Sequence, residues 1–71
     1  MTVNEYINLL IEQVNYKINS QGLSRSVLDA NALQILQEQP TVDAAIAEAT
    51  LLLNGVMTVD ELQRISQGSG Q

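Results

Sequence analysis

Few side chains in this sequence could carry out chemistry. It contains no His and no Cys, and its only basic residues are Lys17, Arg25 and Arg64. General acid–base catalysis at neutral pH most often uses His, and no Ser-x-x-Lys spacing activates a serine. The one adjacent pair of carboxylates, Asp60 and Glu61, would point about 100° apart on a helix. We therefore expect no catalytic residue and a protein that is not an enzyme.

The composition also argues against the common kinds of ligand site. Zinc favours thiolate and imidazole ligands, a calcium loop needs alternating acidic ligands, and a phosphate loop is rich in glycine. None of these patterns is present. The net charge is −5, and three scattered cations do not form the basic cluster that duplex DNA binding draws on. We expect no metal, no cofactor and no nucleic-acid partner.

The chain also carries no signal for a membrane. It has no run of 18 apolar residues, which is about the length that a spanning helix needs. Its first residues, 1–5, lack the basic stretch that opens a signal peptide. The sequence predicts no membrane partner, and a location in the cytoplasm or in an assembled particle.

Two capping boxes indicate where helices begin. Thr2 and Glu5 have the spacing at which each side chain bonds the backbone N–H of the other residue, and Thr58 and Glu61 repeat that spacing. Each pair precedes apolar residues at helical intervals. Helices are therefore expected to start at about residues 3 and 59.

Helix stops and further caps divide the rest of the chain. Gly22, Pro40 and Gly55 are natural stops, and either Ser24 or Ser26 could cap the second helix. No alternating strand pattern competes. We predict one all-α domain over residues 1–66 and a flexible tail over 67–71. The domain is a small bundle of three main helices, about 3–20, 25–39 and 42–54, plus a short C-terminal helix, about 59–66.

Some apolar residues do not fit the predicted core. Leu9 and Tyr16 are seven apart and share a face of the first helix away from its main apolar stripe. Leu51 points to the back of the third helix, alongside Ala44 and Ala47. These five residues are the predicted protein interface. The alternatives are that they are ordinary exposed apolar residues, or that the short fourth helix covers Leu51.

Asparagines form a further face of the first helix. Asn4, Asn8, Asn15 and Asn19 lie along one side of it. Asn is a mediocre helix former, so four on one face invite an explanation. They could bond a partner's backbone, or they could simply be hydrated.

The junction between the third and fourth helices resembles known helical modules. Residues 51–65 read LLLNGVMTVDELQRI: a leucine-rich helix end, a Gly, two apolar residues, then Thr-x-Asp-Glu and an apolar residue. This pattern resembles the helical hook of XkdX-like bacteriophage tail proteins and the SHOCT oligomerisation module. The resemblance implies a small structural subunit or adaptor.

Three functions remain open from the sequence. The first is a structural or adaptor subunit that self-associates or joins a larger assembly. The second is a regulatory binder, such as an inhibitor, antitoxin or anti-defence protein, that occludes a target. The third, which we rank last, is an oligomeric sponge for a small ligand, in which Tyr6 or Tyr16 stacks on a base and Arg25 or Lys17 meets a phosphate.

Overall fold

The fold is all-α over the residues that the structure describes. A computed structural model describes residues 1–22 and 28–67, and it contains no strand there. The described helices are α1 (Val3–Gln21), α2 (Ala30–Gln37), α3 (Val42–Leu52) and α4 (Val59–Ser66). The all-α prediction is confirmed. The proposed caps at Ser24 and Ser26 and the predicted tail from residue 68 onwards lie outside the described residues.

Both predicted capping boxes form. The Thr2 hydroxyl accepts from the Glu5 N–H at 3.1 Å, and the Glu5 carboxylate accepts from the Thr2 N–H at 2.7 Å. The corresponding distances for Thr58 and Glu61 are 3.2 and 2.8 Å. These bonds satisfy backbone N–H groups that a helix start leaves unpaired. They place the starts of α1 and α4 where the sequence predicted them.

The start of α2 differs from the prediction. We expected this helix from about residue 25, but it begins at Ala30, with Asp29 as its N-cap. The Asp29 carboxylate accepts from the Ala32 N–H at 2.8 Å, and Asp is among the strongest capping residues. This local bond stabilises a start several residues after the one we expected.

The end of α3 also comes earlier than expected. The helix stops at Leu52 rather than Asn54, and the chain then turns through Gly55 at φ +88°. A residue with a Cβ rarely adopts this left-handed conformation. Glycine at this position therefore allows the chain to reverse and bring α4 back onto the bundle.

The core is aliphatic apart from one tyrosine. Side chains from all four helices and from the α3–α4 turn enter it, and α4 packs on α1 and α3 of its own chain. The largest fully buried side chains are Tyr6, Leu10, Val14, Leu36, Leu53 and Leu62.

Candidate functional site

Two polar contacts join α1 to α4, and the first is buried. The Tyr6 hydroxyl donates a hydrogen bond to the Leu62 carbonyl at 2.9 Å. Burial raises the pKa of Tyr6 to about 12. The ring is 0% exposed, so Tyr6 cannot stack on a base as the small-ligand alternative allowed. Tyr6 is a core residue that fixes the position of α4.

The second contact is an ion pair nearer the surface. The Lys17 Nζ lies 2.7 Å from both carboxylate oxygens of Glu61. The same carboxylate accepts from the Thr58 N–H, so one side chain both caps α4 and ties it to α1. The hydrogen bond from Lys17, followed by that from Thr58, holds the pKa of Glu61 below its ordinary value. The positive charge of Lys17 is therefore already paired with a carboxylate of its own chain.

A groove runs beside this ion pair. It has a volume of about 470 Å³, and we call it the α1–α4 groove. Both basic side chains within residues 1–22 and 28–67, those of Lys17 and Arg64, border it, although they are far apart in the sequence. Its lining includes Tyr16, Lys17, Met57, Glu61, Arg64 and Ile65.

Tyr16 and its predicted neighbour Leu9 lie in different environments. Tyr16 is 72% exposed, whereas Leu9 is partly buried and packs against the core. Leu9 therefore contributes to the edge of the core, and Tyr16 is the exposed member of the pair. The four asparagines of α1 are all exposed.

The outer surface of α3 carries a second apolar patch. Ala44, Ala47, Glu48 and Leu51 share one side of the helix at intervals of three and four residues, and we call this the α3 outer face. Leu51 is 73% exposed, so α4 does not cover it. Ala47 is exposed, and Ala44 and Glu48 are half-buried. The face thus combines one large apolar side chain, one carboxylate and two small residues.

The sequence singled out part of these surfaces. It singled out Tyr16 and Leu51, both exposed in the structure, but not Arg64, which lines the same groove as Tyr16, or Glu48, which shares the α3 outer face with Leu51. Arg64 follows Glu61 by three residues, so its place on the same side of α4 was readable. Its position next to Tyr16 depends on how α4 packs on α1, which no local pattern reports.

The described residues form neither a metal-binding cluster nor a membrane-spanning helix. Within them, no three acidic side chains come together in a group that could hold a metal ion. None of the four helices is both long and apolar enough to cross a membrane. What the two surfaces can do chemically is bury apolar side chains and form ion pairs.

Comparison with known proteins finds no relative. A scan against protein-family models and searches of curated proteins and solved structures give no match. The function must therefore be argued from the surfaces themselves.

Proposed function

We propose that this protein is a small, non-enzymatic structural or adaptor subunit that acts through helix-mediated contacts with other protein chains. A phage particle or a similar assembly is a suitable setting. The observation that carries the proposal is the exposure of two large apolar side chains, Tyr16 at 72% and Leu51 at 73%, on two different helices. Tyrosine is also among the residues enriched at protein interfaces.

The energetics of a small domain support this proposal. A core in a chain of this size rarely supplies more than about 3–5 kcal/mol of stability. Burying a large apolar side chain against a partner contributes about 1.5–3 kcal/mol. Two such contacts are comparable to the stability of the isolated domain before the entropy lost on association is subtracted.

The proposal includes a finer view of the architecture. We take α1, α2 and α3 as the main bundle, with α4 as the short helix that completes it. Among the described helices, α4 contacts α1 and α3 but not α2. With eight residues, α2 is as short as α4, so this division rests on position rather than on length.

The mass of the protein in solution tests the proposal. Light scattering behind size exclusion, at two concentrations, should report an oligomer. A monomer at both concentrations would contradict self-assembly and leave the regulatory binder as the better reading.

Substitution of Leu51 tests the contact itself. Leu51→Asp should abolish assembly and leave the far-UV circular dichroism spectrum unchanged, because the side chain is exposed. Val59→Asp is the matched control. Val59 is 45% exposed and lies outside both proposed surfaces. Val59→Asp adds the same charge as Leu51→Asp, so this variant should assemble normally.

The regulatory binder remains the main alternative. Its net charge of −5 would suit a basic target, and affinity for that target should fall as salt is added. The small-ligand sponge would use Tyr16 alone for stacking, because Tyr6 is buried, and its Lys17 is already engaged by Glu61. We therefore still rank it last.

A further inference from the structure

The α3 outer face and the α1–α4 groove are complementary in chemistry. We propose that the α3 outer face of one copy of this protein packs into the α1–α4 groove of a second copy. The inference rests on the proposed function and identifies its partner as a second copy of the same chain. Each subunit then provides one projecting face and one receiving groove.

Charge supports a contact at the groove. At a net charge of −5, two copies repel each other on average. Both basic side chains of the described residues border the groove, and Lys17 is already paired with Glu61. Arg64 is exposed and makes no ion pair within residues 1–22 and 28–67. A carboxylate from a second copy therefore gains most when it lies next to Arg64.

Glu48 is placed to supply that carboxylate. It precedes Leu51 by three residues, so the two side chains lie on the same side of α3. Ala44 and Ala47 complete this side, and their small side chains allow another chain to approach the helix closely. An ion pair between Glu48 of one copy and Arg64 of the other would therefore also place Leu51 in the groove.

The groove offers an apolar surface for Leu51. The Tyr16 ring stands at its border and is 72% exposed, whereas the side chains of Met57 and Ile65, which also line it, are only 7% and 4% exposed. The groove has a volume of about 470 Å³. Contact there would remove from water the two most exposed large apolar side chains of the described residues, Tyr16 and Leu51.

The proposed contact is head-to-tail, with the α3 outer face of each copy in the groove of the next copy. It leaves one groove and one α3 outer face free at the ends of any pair, so further copies can add. Such contacts generate a ring if the rotation closes and an open chain of subunits if it does not. A two-fold dimer, by contrast, would make the contact twice between the same two copies, with each α3 outer face in the groove of the other copy.

Mixing two defective variants tests this arrangement. Leu51→Asp damages the α3 outer face and leaves the groove intact, whereas Arg64→Glu damages the groove and leaves that face intact. Each variant alone should be monomeric. An equimolar mixture should form a dimer with one copy of each, because one intact groove can still receive one intact face. Sedimentation velocity measures both masses, and circular dichroism verifies folding.

A charge exchange provides the second measurement. Glu48→Arg alone should prevent assembly through repulsion from Arg64, and adding Arg64→Glu to the same chain should restore it. Val59→Asp, which matches the charge change of Leu51→Asp, should still assemble.

The outcomes separate this inference from the proposed function. If the unmodified protein assembles but the mixture stays monomeric and the charge exchange restores nothing, the head-to-tail contact is wrong and self-assembly stands. If the unmodified protein is itself monomeric, the head-to-tail contact is wrong, and the proposed function is confined to contacts with a different protein. A monomer whose melting temperature rises on addition of adenosine monophosphate would assign the groove to a small ligand instead and overturn the inference.

Discussion

The two tyrosines show how the same side chain takes opposite roles at two positions. Tyr6 is fully buried and bonded to the Leu62 carbonyl, and Tyr16, ten residues later on the same helix, is 72% exposed. The buried hydroxyl has a partner, as buried polar groups generally require. Tyr6 therefore stabilises the fold, whereas Tyr16 is available to other molecules.

Tyr6→Phe should lower the free energy of unfolding at neutral pH. The variant keeps the ring and loses the hydrogen bond to Leu62, a loss of about 0.5–1.5 kcal/mol. Urea unfolding followed by circular dichroism measures the change. Tyr16→Phe removes the same atom from an exposed ring and should leave stability unchanged. Equal effects of the two substitutions would contradict the assigned role of Tyr6.

The same pair of variants should differ in alkaline solution. The pKa of Tyr6 rises from 10.0 to about 12 on folding, so the unfolded chain releases this proton first as the pH increases. The stability that depends on the protonated hydroxyl is complete below pH 10 and is lost as the pH rises towards 12. Tyr6→Phe should remove this part of the pH dependence. If the stability of Tyr6→Phe changes with alkaline pH in the same way as that of the unmodified protein, burial of the Tyr6 hydroxyl does not cause this pH dependence.

At the scale of elements, the two capping boxes are a natural comparison. Glu5 and Glu61 occupy the same position in their boxes, but Glu61 alone also binds Lys17. Capping is a local interaction that the sequence reports directly. The Lys17–Glu61 pair joins residues 44 positions apart and depends on the packing of α4 against α1.

Glu61→Gln should test the second role of this carboxylate. The amide can still accept from the Thr58 N–H, but the charge that attracts Lys17 is lost. A double-mutant cycle with Lys17→Met should give a coupling of about 0.2–1 kcal/mol, since the pair is partly exposed to solvent, and added salt should reduce it. Glu5→Gln, combined with Lys17→Met, is the control and should show no coupling.

Lowering the pH should reveal the contribution of the Lys17–Glu61 ion pair to stability. Because the folded state lowers the pKa of Glu61 below 4.5, its contribution to stability is present above pH 4.5 and disappears as the pH falls through the folded-state value. The unmodified protein should therefore lose more stability below pH 4.5 than Glu61→Gln does. If both variants lose the same amount, the ion pair does not contribute in solution.

Local signals explain why the elements were predictable to different degrees. Capping boxes located the starts of α1 and α4, because their hydrogen bonds involve residues only three apart. The start of α2 was placed too early, since two serines offered competing caps and the structure uses Asp29. Tyr6 precedes Leu10 by four residues, so helical spacing could have indicated its burial. Its pairing with Leu62 could not be read, because that contact depends on tertiary packing.

At the scale of the whole molecule, one small core supports four helices. Leu36 is fully buried and belongs to α2, the helix whose boundaries differed most from prediction. Its contacts therefore matter for holding a short helix on the bundle. In a domain of this size, a single core side chain represents a large share of the total stability.

Leu36→Ala should unfold a large fraction of the isolated protein. Truncating a buried leucine costs about 2–5 kcal/mol, close to the whole stability of such a small core. Thermal melts followed by circular dichroism would show the loss. Leu51→Ala removes the same atoms from a side chain that is 73% exposed, so in dilute solution it should change stability by less than about 0.5 kcal/mol. Comparable losses from both would show that the core is not where we place it.

Because Tyr6 is buried and Tyr16 is exposed, the two tyrosine rings should give separate spectroscopic signals. The chain has no Trp and no Phe, so its near-ultraviolet signals come from two rings alone. The enclosed ring of Tyr6 should give the near-ultraviolet circular dichroism band that disappears on unfolding. The exposed ring of Tyr16 should be quenched by acrylamide and become shielded when subunits meet. Folding and assembly could thus be followed separately in one unlabelled sample.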